Sequence, residues 1–316
     1  MELREIETFL AIVQCGTFSR AAERLGYSQS AVTVQIRQLE GELGVRLFDR
    51  VPRGAVLTEQ GRAFAFHANE VMGAVRAARA SVEEPGGSAG EMRGVIRLGS
   101  AESISTAILP ELLVEFHERC PLVQVVVSTD RRESMIEGLR NNALDILLTM
   151  ERRVCERGLH VEPLRTERVL FVAAPGVAAR CGAVGDGAGD AASPDAGRPM
   201  PCGAEVLAQM PFALTERGES YRLELDRMMA ERGLAIAPLV EAGNTETLVH
   251  VAERGVGVTF VPRFSAARAL EHGTLVEVPC DLPAVEMESQ LLWHERKWIA
   301  PPMAEFMDVA RAYFAR

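Results

Sequence analysis

Around Thr33 the chain carries several side chains that can form hydrogen bonds from a single helix face. Ser30, Thr33 and Arg37 recur at spacings of three and four, which places them with Val34, and more marginally Gln38, on one side of an α-helix. Hydroxyl and guanidinium groups in this arrangement suit the edges of base pairs in the DNA major groove. The pattern therefore indicates a candidate surface for reading DNA.

The opposite side of the same helix is apolar. Val32, Ile36, Leu39 and Leu43 follow one another at spacings of four, three and four, so their side chains gather in a narrow arc. Such an arc predicts a buried face. An earlier stretch has apolar residues at i, i+3, i+4 and i+7 and predicts a first helix, through Ile6, Phe9, Leu10 and Val13.

A short helix is predicted between these two. The string "TFSRAAERLG" offers Ser19 as an N-cap, Gly26 as the C-terminal stop, and Ala21 and Ala22 as small residues that let another helix approach. A short helix, a turn with glycine and a second helix with a polar outer face form the helix-turn-helix layout. Periodicity alone leaves open an ordinary three-helix packing unit whose outer face is only solvated.

Two arginines follow the third helix at the tip of a predicted hairpin. In "LFDRVPRGAVLT", Arg50 and Arg53 surround the turn residues Pro52 and Gly54, and a short apolar strand follows. Arginines beside a recognition helix suit contacts with DNA phosphates, which fix the register while the helix reads bases. The hairpin therefore favours the DNA-binding interpretation over simple packing.

The charge of the chain is distributed unevenly. The whole chain has a formal net charge of -10, yet residues 1 to 58 contain seven arginines and seven carboxylates and are neutral. All of the net negative charge lies beyond residue 58. This distribution indicates a local reading surface and argues against a protein that coats DNA without sequence preference.

The first sixty residues resemble a known family. "FSRAAERLGYSQSAV", "IRQLEGELGVRLFDR" and "LTEQG" look like the winged helix-turn-helix of LysR-type transcriptional regulators. The resemblance implies that the recognition helix approaches bases and adjacent phosphates, and that the wing contacts the DNA backbone. Val34 departs from the pattern, because many relatives carry a basic residue there, and a contact with a thymine methyl group is the alternative. The implied DNA-binding residues are Ser28, Gln29, Ser30, Thr33, Val34, Arg37, Arg50 and Arg53.

A long helix is predicted from a cap at Thr58 to about Glu84. Its apolar residues alternate at spacings of four and three, which is a heptad seam and implies a partner helix. A helix buried on its own domain is the alternative. A dimer would favour an inverted-repeat DNA site, and the family resemblance implies tetramers as well. The predicted dimerisation residues are Phe64, Ala68, Val71, Val75, Ala78 and Val82.

The segment after the linker "EEPGGSAGEM" alternates short apolar strands with helices. A β-α-β-α-β pattern from Val95 predicts an open parallel sheet, and a second set of elements predicts a second sheet. Chain crossings near 163–170 and 268–290 indicate two lobes with a cleft between them. This part resembles the effector domain of the same family, which is itself similar to periplasmic binding proteins.

The predicted architecture is therefore α+β and multidomain. It consists of a winged helix-turn-helix at 1–58, a coiled-coil linker helix and hinge at 59–90, and a two-lobed α/β effector domain at 91–316. Within the last, lobe I is predicted at about 91–165 and 270–316, and lobe II at about 166–269.

Ligands of such sheets bind beyond the carboxyl ends of strands, where helix N-termini present free N–H groups. Hydroxyls and amides at these positions outline a small polar pocket suited to a carboxylate, although each is also a common N-cap. Glu102, Glu216 and Glu219 favour instead a cation or a hydroxylated compound, if they point inward. The predicted effector-binding residues are Ser100, Ser103, Ser128, Thr129, Thr149, Thr215, Glu216, Asn244 and Thr245.

Two cysteines raise an alternative. Cys181 and Cys202 flank a low-complexity insertion within residues 176–203, and a disulfide between them would make the protein a redox-sensing regulator. The plainer interpretation is a pair of incidental thiols. The six cysteines form no CxxC pair and have no histidine at metal-ligand spacing, so no metal site is predicted.

Catalytic motifs are incomplete. "GESYR" has Arg222 where a nucleophile elbow needs its second glycine, and "GVGVTF" lacks the third glycine of a dinucleotide fingerprint. We therefore predict neither an enzyme nor a bound cofactor, and a solute-binding α/β protein stays open as a further alternative. The acidic N-terminus and the absence of a long apolar run predict a cytoplasmic protein without membrane association.

Overall fold

The protein is described by a computed structural model, which covers residues 1–51, 54–82, 92–153, 155–182 and 201–316. Its N-terminal part consists of three helices and a β-hairpin, as the sequence predicts. The helices are α1 (Leu3–Cys15), α2 (Phe18–Leu25) and α3 (Gln29–Leu43). The hairpin strands are β1 (Phe48–Val51) and β2 (Gly54–Leu57), and they pair antiparallel.

The ends of α2 set the angle of the helix-turn-helix. Thr17, rather than the predicted Ser19, is the N-cap, because Thr17 is extended and its side chain accepts a hydrogen bond from the Arg20 N–H. Ser19 lies inside the helix. Gly26 ends α2 with φ +70°, a left-handed conformation that glycine adopts without a Cβ clash. The predicted stop at Gly26 is confirmed, and α3 starts three residues later.

Aromatic rings hold this part together. The ring of Phe9 in α1 is fully buried and lies 5.1 Å from the ring of Phe48 in β1. It also lies 5.0 Å from the ring of Phe64, which belongs to the next helix, α4 (Glu59–Val82). The predicted inner face of α3 is buried through Val32 and Leu39. The core therefore joins α1, the hairpin and the start of α4.

Two residues of the "LTEQG" motif attach α4 to the hairpin. Thr58 caps the helix, because its hydroxyl accepts a hydrogen bond from the Gly61 N–H at 2.9 Å and donates one to the Arg46 carbonyl. A Cβ at Gly61 would lie 2.1 Å from the Leu47 carbonyl oxygen. Only glycine permits this close approach of the helix to the hairpin.

The C-terminal part is built on nine strands that form one sheet within the described residues, in the order β4-β3-β5-β11-β6-β9-β7-β8, with β10 paired to β6. The first three are parallel, as predicted from the β-α-β-α-β pattern. The strands are β3 (Gly94–Ser100), β4 (Val123–Ser128), β5 (Ile146–Glu151), β6 (Leu159–Ala173), β7 (Phe212–Leu214), β8 (Val240–Glu241), β9 (Val258–Pro262), β10 (Val276–Glu277) and β11 (Val285–His294).

Helices cover both faces of this sheet. The predicted single helix through "STAILPELLVEFHERC" is two helices, because the chain breaks at Ile108 and restarts with Pro110 in the first turn of the second. A 3₁₀ helix also spans Arg263–Ala266. The α-helices are α5 (Glu102–Ala107), α6 (Leu109–Arg119), α7 (Arg132–Arg140), α8 (Pro175–Arg180), α9 (Ala204–Ala208), α10 (Ser220–Glu231), α11 (Thr245–Glu253), α12 (Ala267–Glu271) and α13 (Pro301–Phe314).

The two predicted sheets are not separate. The long strands β6 and β11 pair with each other along residues 159–169 and 285–294, and they belong to both lobes. In lobe I, β11 pairs with β5, and in lobe II, β6 pairs with β9. The crossings thus continue the hydrogen-bond ladder and merge the sheets into one. A single register shift interrupts the ladder, between Ser289 and Gln290.

Within the described residues, no helix combines the length and the apolar character needed to cross a membrane. Most of the predicted insertion, residues 183–200, lies outside the described part of the chain.

Candidate DNA-binding surface and effector cleft

The outer face of α3 is open to solvent. Gln29, Ser30 and Arg37 are exposed, and Val34 retains 49% of its accessible surface. Thr33 is half-buried, and its hydroxyl donates a hydrogen bond to the Gln29 carbonyl at 2.9 Å. These five predicted residues therefore share one surface of the helix.

Ser28 has a structural role at the start of that helix. Its hydroxyl accepts a hydrogen bond from the Ala31 N–H at 3.2 Å and lies 2.9 Å from the Ser30 hydroxyl, so it is the N-cap of α3. The neighbouring Gln29 side chain accepts a hydrogen bond from Ser19, which connects α2 to α3. The N-terminus of α3 is thus capped by Ser28 and lies at the exposed end of the helix, and helix N-termini are positions that can accept phosphate.

Two residues that sequence analysis did not single out position the surface. Glu40 accepts hydrogen bonds from the Leu47 and Phe48 N–H groups at 2.7 and 3.3 Å, which attaches the wing to α3. Gln35 accepts a hydrogen bond at 2.5 Å from the hydroxyl of Thr8, which is fully buried in α1. The clue to this role in the sequence is that Glu40 lies seven residues before Leu47, with the glycine that ends α3 between them.

The wing is described only in part. Arg50 lies in β1 opposite Ala55, but its side chain lies outside the described residues. Arg53 also lies outside them. The proposed phosphate contacts of these two arginines stay predictions.

The predicted dimerisation residues of α4 fall into two groups, which differ in how far they are buried. Ala68 is 1% exposed and packs in the N-terminal core, so it has no surface left for a partner helix, and the prediction is wrong for this residue. Phe64 is half-buried against Phe9. The first turns of the helix are held by their own domain because the aromatic core lies beneath them.

Further along α4, the predicted dimerisation residues are more exposed to solvent. Val71 and Ala78 are exposed and Val75 is half-buried, while the side chain of Val82 lies outside the described residues. The described residues Val71, Ala74, Val75 and Ala78 form an apolar stripe at helical spacing, which we call the linker stripe.

The strand ends of lobe I bring several predicted residues together. Ser100 ends β3 beside Ser128 at the end of β4, since Gly99 pairs with Ser128 in the parallel ladder. Ser100 is buried and Ser128 is exposed. The exposed Thr129 follows Ser128, with its hydroxyl 3.3 Å from that of Ser105.

Thr149 differs from these residues. Its buried hydroxyl donates a hydrogen bond at 3.2 Å to Glu151, whose other carboxylate oxygen accepts one from Arg132 at 2.6 Å. The hydroxyl is thus already engaged in an internal network.

Direct hydrogen bonds cross from lobe I to lobe II. The Glu102 carboxylate accepts hydrogen bonds from the N–H of Thr245 at 3.0 Å and from its hydroxyl, at the N-terminus of α11. The hydroxyl of Thr245 also lies 3.3 Å from that of Tyr221. Ser220 donates a hydrogen bond to the Met150 carbonyl at 3.1 Å. The lobes therefore meet at the N-termini of α10 and α11.

The other predicted residues of lobe II surround this contact. Asn244 is the N-cap of α11, accepting a hydrogen bond from the Thr247 N–H at 2.8 Å. Thr215 is buried at the end of β7, and the following Glu216 is exposed. A Cβ at Gly243 would lie 3.3 Å from Glu216 Oε1, so this carboxylate also approaches the start of α11.

Carboxylates from both lobes influence the pKa of Glu219. Partial desolvation, followed by the negative charges of Glu216, Glu102 and Glu133, raises the pKa of Glu219, and Arg131 lowers it. Glu102 and Glu133 belong to lobe I, and Glu216 and Glu219 to lobe II. We call Glu102, Glu133, Glu216 and Glu219 the acidic cluster.

The cysteines that flank the insertion lie side by side. Cys181 and Cys202 are buried, and their thiols are close enough for each to affect the pKa of the other, while the Cys202 thiol donates a hydrogen bond to the Gly203 carbonyl at 3.5 Å. Burial raises the pKa of Cys202 to about 11, with the nearby Cys181 next in effect. Burial also raises the pKa of Cys280, whose backbone pairs with that of Cys202. In the described part of the chain, no group of three histidine, cysteine or acidic residues has the geometry of a metal site.

A cavity of about 500 Å³ lies elsewhere, between α4 and the effector domain. Its wall includes Arg97, Asp145 and Lys297, where Asp145 pairs with Lys297 at 2.7 Å and with Arg97 at 3.8 Å. None of the predicted effector residues lines it. The cavity is a junction between domains and stands apart from the cleft.

Comparison with known proteins gives consistent matches along the chain. A family model described as "LysR substrate binding domain" matches residues 89–315, and one described as "Bacterial regulatory helix-turn-helix protein, lysR family" matches residues 3–62. The "Uncharacterized HTH-type transcriptional regulator YwqM" of Bacillus subtilis is 28% identical to this chain and covers 99% of it, with 100% of the relative aligned.

Solved structures share the fold. ArgP from Mycobacterium tuberculosis superposes with a TM-score of 0.72 at 22% identity, over 98% of this chain and 96% of that one. Full-length CbnR, solved in complex with its target DNA, gives a TM-score of 0.59 at 20% identity, over 99% of this chain and all of that one. Because one family model covers well over half of the sequence and the other covers the helix-turn-helix, the chain belongs to the LysR family of transcriptional regulators.

Proposed function

We propose that this protein reads an inverted-repeat promoter site through α3 and changes its arrangement on DNA when a small molecule binds between the lobes. The observation that carries the proposal is the pairing of two surfaces in one chain. The first is the exposed polar face of α3, and the second is the contact of Glu102 with Thr245 across the cleft.

The DNA-binding step is supported by the accessibility of the reading face. Arg37 is exposed and has no ion-pair partner among the described residues, so its guanidinium is available for a guanine or a phosphate. Gln29 and Ser30 lie at the N-terminus of α3, where backbone N–H groups attract phosphate. The exposed Val34 suits a thymine methyl group. Arg50 and Arg53 of the wing would add phosphate contacts.

Regulation requires the effector to prefer one arrangement of the lobes, because a ligand that binds two states equally shifts neither. Glu102 and Thr245 form a contact that can distinguish such arrangements, since it joins the lobes at the start of α11. An effector that inserts among Ser100, Ser103 and Thr215 would lie beside this contact and change its geometry.

The assembled state is a homodimer through the linker stripe, with a tetramer as the larger assembly. Val71, Ala74 and Ala78 are exposed in the single chain, and apolar residues at this spacing are buried when two helices pair. A pair of recognition helices related by twofold symmetry reads an inverted repeat.

The test is selection of bound fragments from genomic DNA by the full-length protein, followed by footprinting. We expect protection of two half-sites related by inversion and separated by about one helical turn. Sedimentation should show an oligomer, and Val71→Glu should lower both its stability and its DNA affinity. A monomer that protects one half-site with unchanged affinity would contradict the proposal.

A redox switch is the second candidate, and the proximity of the two buried thiols of Cys181 and Cys202 is the observation that favours it. A small disulfide such as oxidised glutathione would be reduced to two thiols while the two cysteines form one disulfide. Burial opposes this reaction, because only the thiolate attacks and burial raises the pKa of Cys202 to about 11.

Thiol labelling separates the two candidates. With iodoacetamide at pH 8, the exposed Cys155 should react well before Cys181 and Cys202. Peptide mapping after treatment with oxidised glutathione would reveal a Cys181–Cys202 disulfide if the switch exists. Loss of DNA binding upon that treatment, absent in Cys202→Ala, would establish it. Retention of both free thiols would exclude it.

A further inference from the structure

We infer that the cavity between α4 and the effector domain is a second ligand site, which binds a small organic anion with an apolar body. The cavity has a volume of about 500 Å³, and its wall consists of residues within 69–74, 93–97 and 294–303 together with Asn142 and Asp145. We call it the junction cavity. None of the predicted effector-binding residues of the cleft lines it, so the inference goes beyond the proposed function and does not depend on which effector the cleft binds.

The wall of the junction cavity carries an excess of positive charge. It contains one carboxylate, that of Asp145, and four permanently cationic side chains. The four are Arg93, Arg97, Arg296 and Lys297. Asp145 is already engaged, because it pairs with Lys297 at 2.7 Å and accepts a hydrogen bond from the Arg97 N–H at 2.7 Å. Arg93 and Arg296 are exposed and have no ion-pair partner among the described residues, so both are available to an anion.

The start of α13 adds to this positive potential. Its first residues line the junction cavity, and the helix begins there without a side-chain cap and without an acidic residue in its first turn. The N-terminus of a helix carries a partial positive charge, which attracts anions. In α13 no side chain of the protein neutralises this charge, so the helix end and the arginines favour the same kind of ligand.

The rest of the wall has a large apolar part. Val95 and Trp298 line the junction cavity and retain 45% and 47% of their accessible surface. Ile96 and Met303, which also line it, belong to the core of the effector domain. Exposed apolar and aromatic side chains are stabilised when an apolar group covers them. The ligand therefore combines an anionic group with an apolar body, and free inorganic phosphate meets only half of this requirement.

The α4 side of the junction cavity contains space that the packing of the chain does not require. Gly73 lies inside a 24-residue helix, where glycine is less favourable than alanine. A Cβ at Gly73 would meet no atom within 4 Å, whereas a Cβ at Gly61 of the same helix would lie 2.1 Å from the Leu47 carbonyl oxygen. Gly61 is thus explained by packing and Gly73 is not. Open space beside the helix is consistent with a ligand that lies against it, and this observation is independent of the charges.

A ligand in the junction cavity would connect several parts of the molecule. It would contact α4 on one side and the effector domain on the other. Asn69, Arg97 and Asn142 also line a second cavity of about 280 Å³, whose wall includes Leu10 of α1 and Leu25 of α2. The ligand would therefore favour the arrangement in which the DNA-binding part, α4 and the effector domain lie together, because a ligand favours the state that it binds more tightly.

The test uses small molecules that differ either in charge or in their apolar body. Thermal-shift and calorimetric titrations of the full-length protein at constant ionic strength would compare indole-3-acetate with indole-3-acetamide and benzoate with benzamide. Inorganic phosphate tests an anion without an apolar body. We expect at least one organic anion to bind and to raise the Tm, and both its amide and phosphate to bind about 10-fold more weakly or worse.

Variants at exposed positions locate the binding. Arg296→Gln and Trp298→Ala should each weaken the organic anion about 10-fold or more, because the first removes a cation and the second removes apolar contact area. Arg268→Gln is the control, since Arg268 is an exposed arginine on α12 and its replacement changes the net charge equally. Equal weakening by Arg268→Gln would indicate a general charge effect and overturn the assignment.

Gly73 allows the cavity to be filled from the α4 side. Gly73→Leu would occupy the space of the ligand and should weaken the organic anion about 10-fold or more, whereas Gly73→Ala adds a single methyl group and should have a smaller effect. Both substitutions raise helix propensity, so they separate loss of the site from loss of the fold. If Gly73→Leu does not fold, Arg296→Gln and Trp298→Ala still decide the question.

Three other results would overturn the inference. These are binding of no organic anion in the set, binding of an amide or of phosphate as tight as that of the organic anion, and unchanged anion affinity in Arg296→Gln or in a folded Gly73→Leu. A second copy of the chain is the alternative occupant. In that case no anion would bind, and sedimentation would show that Gly73→Leu weakens the dimer. Footprinting tests the proposed function separately, and none of these ligand results changes its outcome.

Discussion

The two functional regions place their polar groups in opposite ways. On α3, Gln29, Ser30 and Arg37 are exposed on one helix and need only that helix and its supports to be in place. In the cleft, Glu102 and Thr245 belong to different lobes. They are far apart in the sequence, and a hydrogen bond joins them. The DNA-reading surface therefore forms whenever the N-terminal domain is folded. The geometry of the cleft depends in addition on how the two lobes are arranged.

The comparison predicts separate stability for the two regions, and the largest effects should come from their cores. Phe9→Ala removes a fully buried ring of the N-terminal core, and Phe116→Ala removes one that lies 5.4 Å from the ring of Phe306 in the effector domain. Each should cost about 3–5 kcal/mol of unfolding free energy. Calorimetry should show each substitution lowering a different transition, and only Phe9→Ala should abolish DNA binding. A common shift of a single transition would show that the regions unfold together.

The next largest effect concerns the reading face. Arg37→Ala should weaken specific DNA binding by about 1–3 kcal/mol and reduce the slope of log affinity against log salt by about 1, if the guanidinium contacts a phosphate or a base. Fluorescence anisotropy at several salt concentrations measures both. Arg254→Ala, which removes an exposed arginine of the effector domain, should change neither. Equal losses in the two variants would attribute the effect to net charge alone.

A smaller effect is expected across the lobes. Thr245→Val keeps the shape of a side chain that is 1% exposed but removes the hydroxyl that bonds Glu102 and Tyr221. The effector-domain transition should fall by about 1–2 kcal/mol, while the N-terminal transition stays in place. Thr247→Val is the control, because Thr247 is exposed and its hydroxyl bonds Asn244 at the start of the same helix and not a residue of the other lobe. No change in either variant would mean that the contact adds nothing to lobe closure.

The smallest effect should come from the attachment of the wing. Glu40→Gln weakens the hydrogen bonds to the Leu47 and Phe48 N–H groups and should cost about 1 kcal/mol in the N-terminal transition. DNA affinity should fall with it, since the hairpin is held less firmly against α3. Glu23→Gln, at an exposed position of α2, should leave both quantities unchanged. A stable Glu40→Gln variant with full affinity would show that the aromatic core alone positions the wing.

Local patterns predicted the N-terminal fold well. The three helices, the stop at Gly26 and the cap at Thr58 were recognisable because helix periodicity and capping depend on residues within a few positions of each other. The N-cap at Thr17 was missed because Thr17 and Ser19 are both good caps, and only the backbone conformation decides between them. Ala68 was predicted to contact a partner helix because its spacing fits a heptad as well as it fits a helix packed on its own domain. The core of its own chain buries it.

The pairing of strands that are far apart in the sequence was harder to predict. Strand positions followed from apolar runs, but the merging of two sheets depends on which strands β6 and β11 pair with. The predicted site residues include Thr149, whose hydroxyl is engaged by Glu151, and Asn244, which caps α11. Spacing cannot distinguish a hydroxyl that faces a ligand from one that satisfies a neighbour. The contact of Glu102 with Thr245 spans 143 positions and has no local signature.

The shared strands β6 and β11 also have a mechanical consequence. Because the hydrogen-bond ladder of β6 and β11 runs through both lobes, with one register shift, the lobes cannot slide past each other without breaking its hydrogen bonds. A two-stranded ribbon of this kind deforms more easily by twisting than by sliding. Its regular hydrogen bonding is interrupted at the register shift between Ser289 and Gln290, so twisting is easiest there. Any movement of one lobe relative to the other would therefore twist β6 and β11 together, and that twist would use part of the binding free energy of a ligand that drives it.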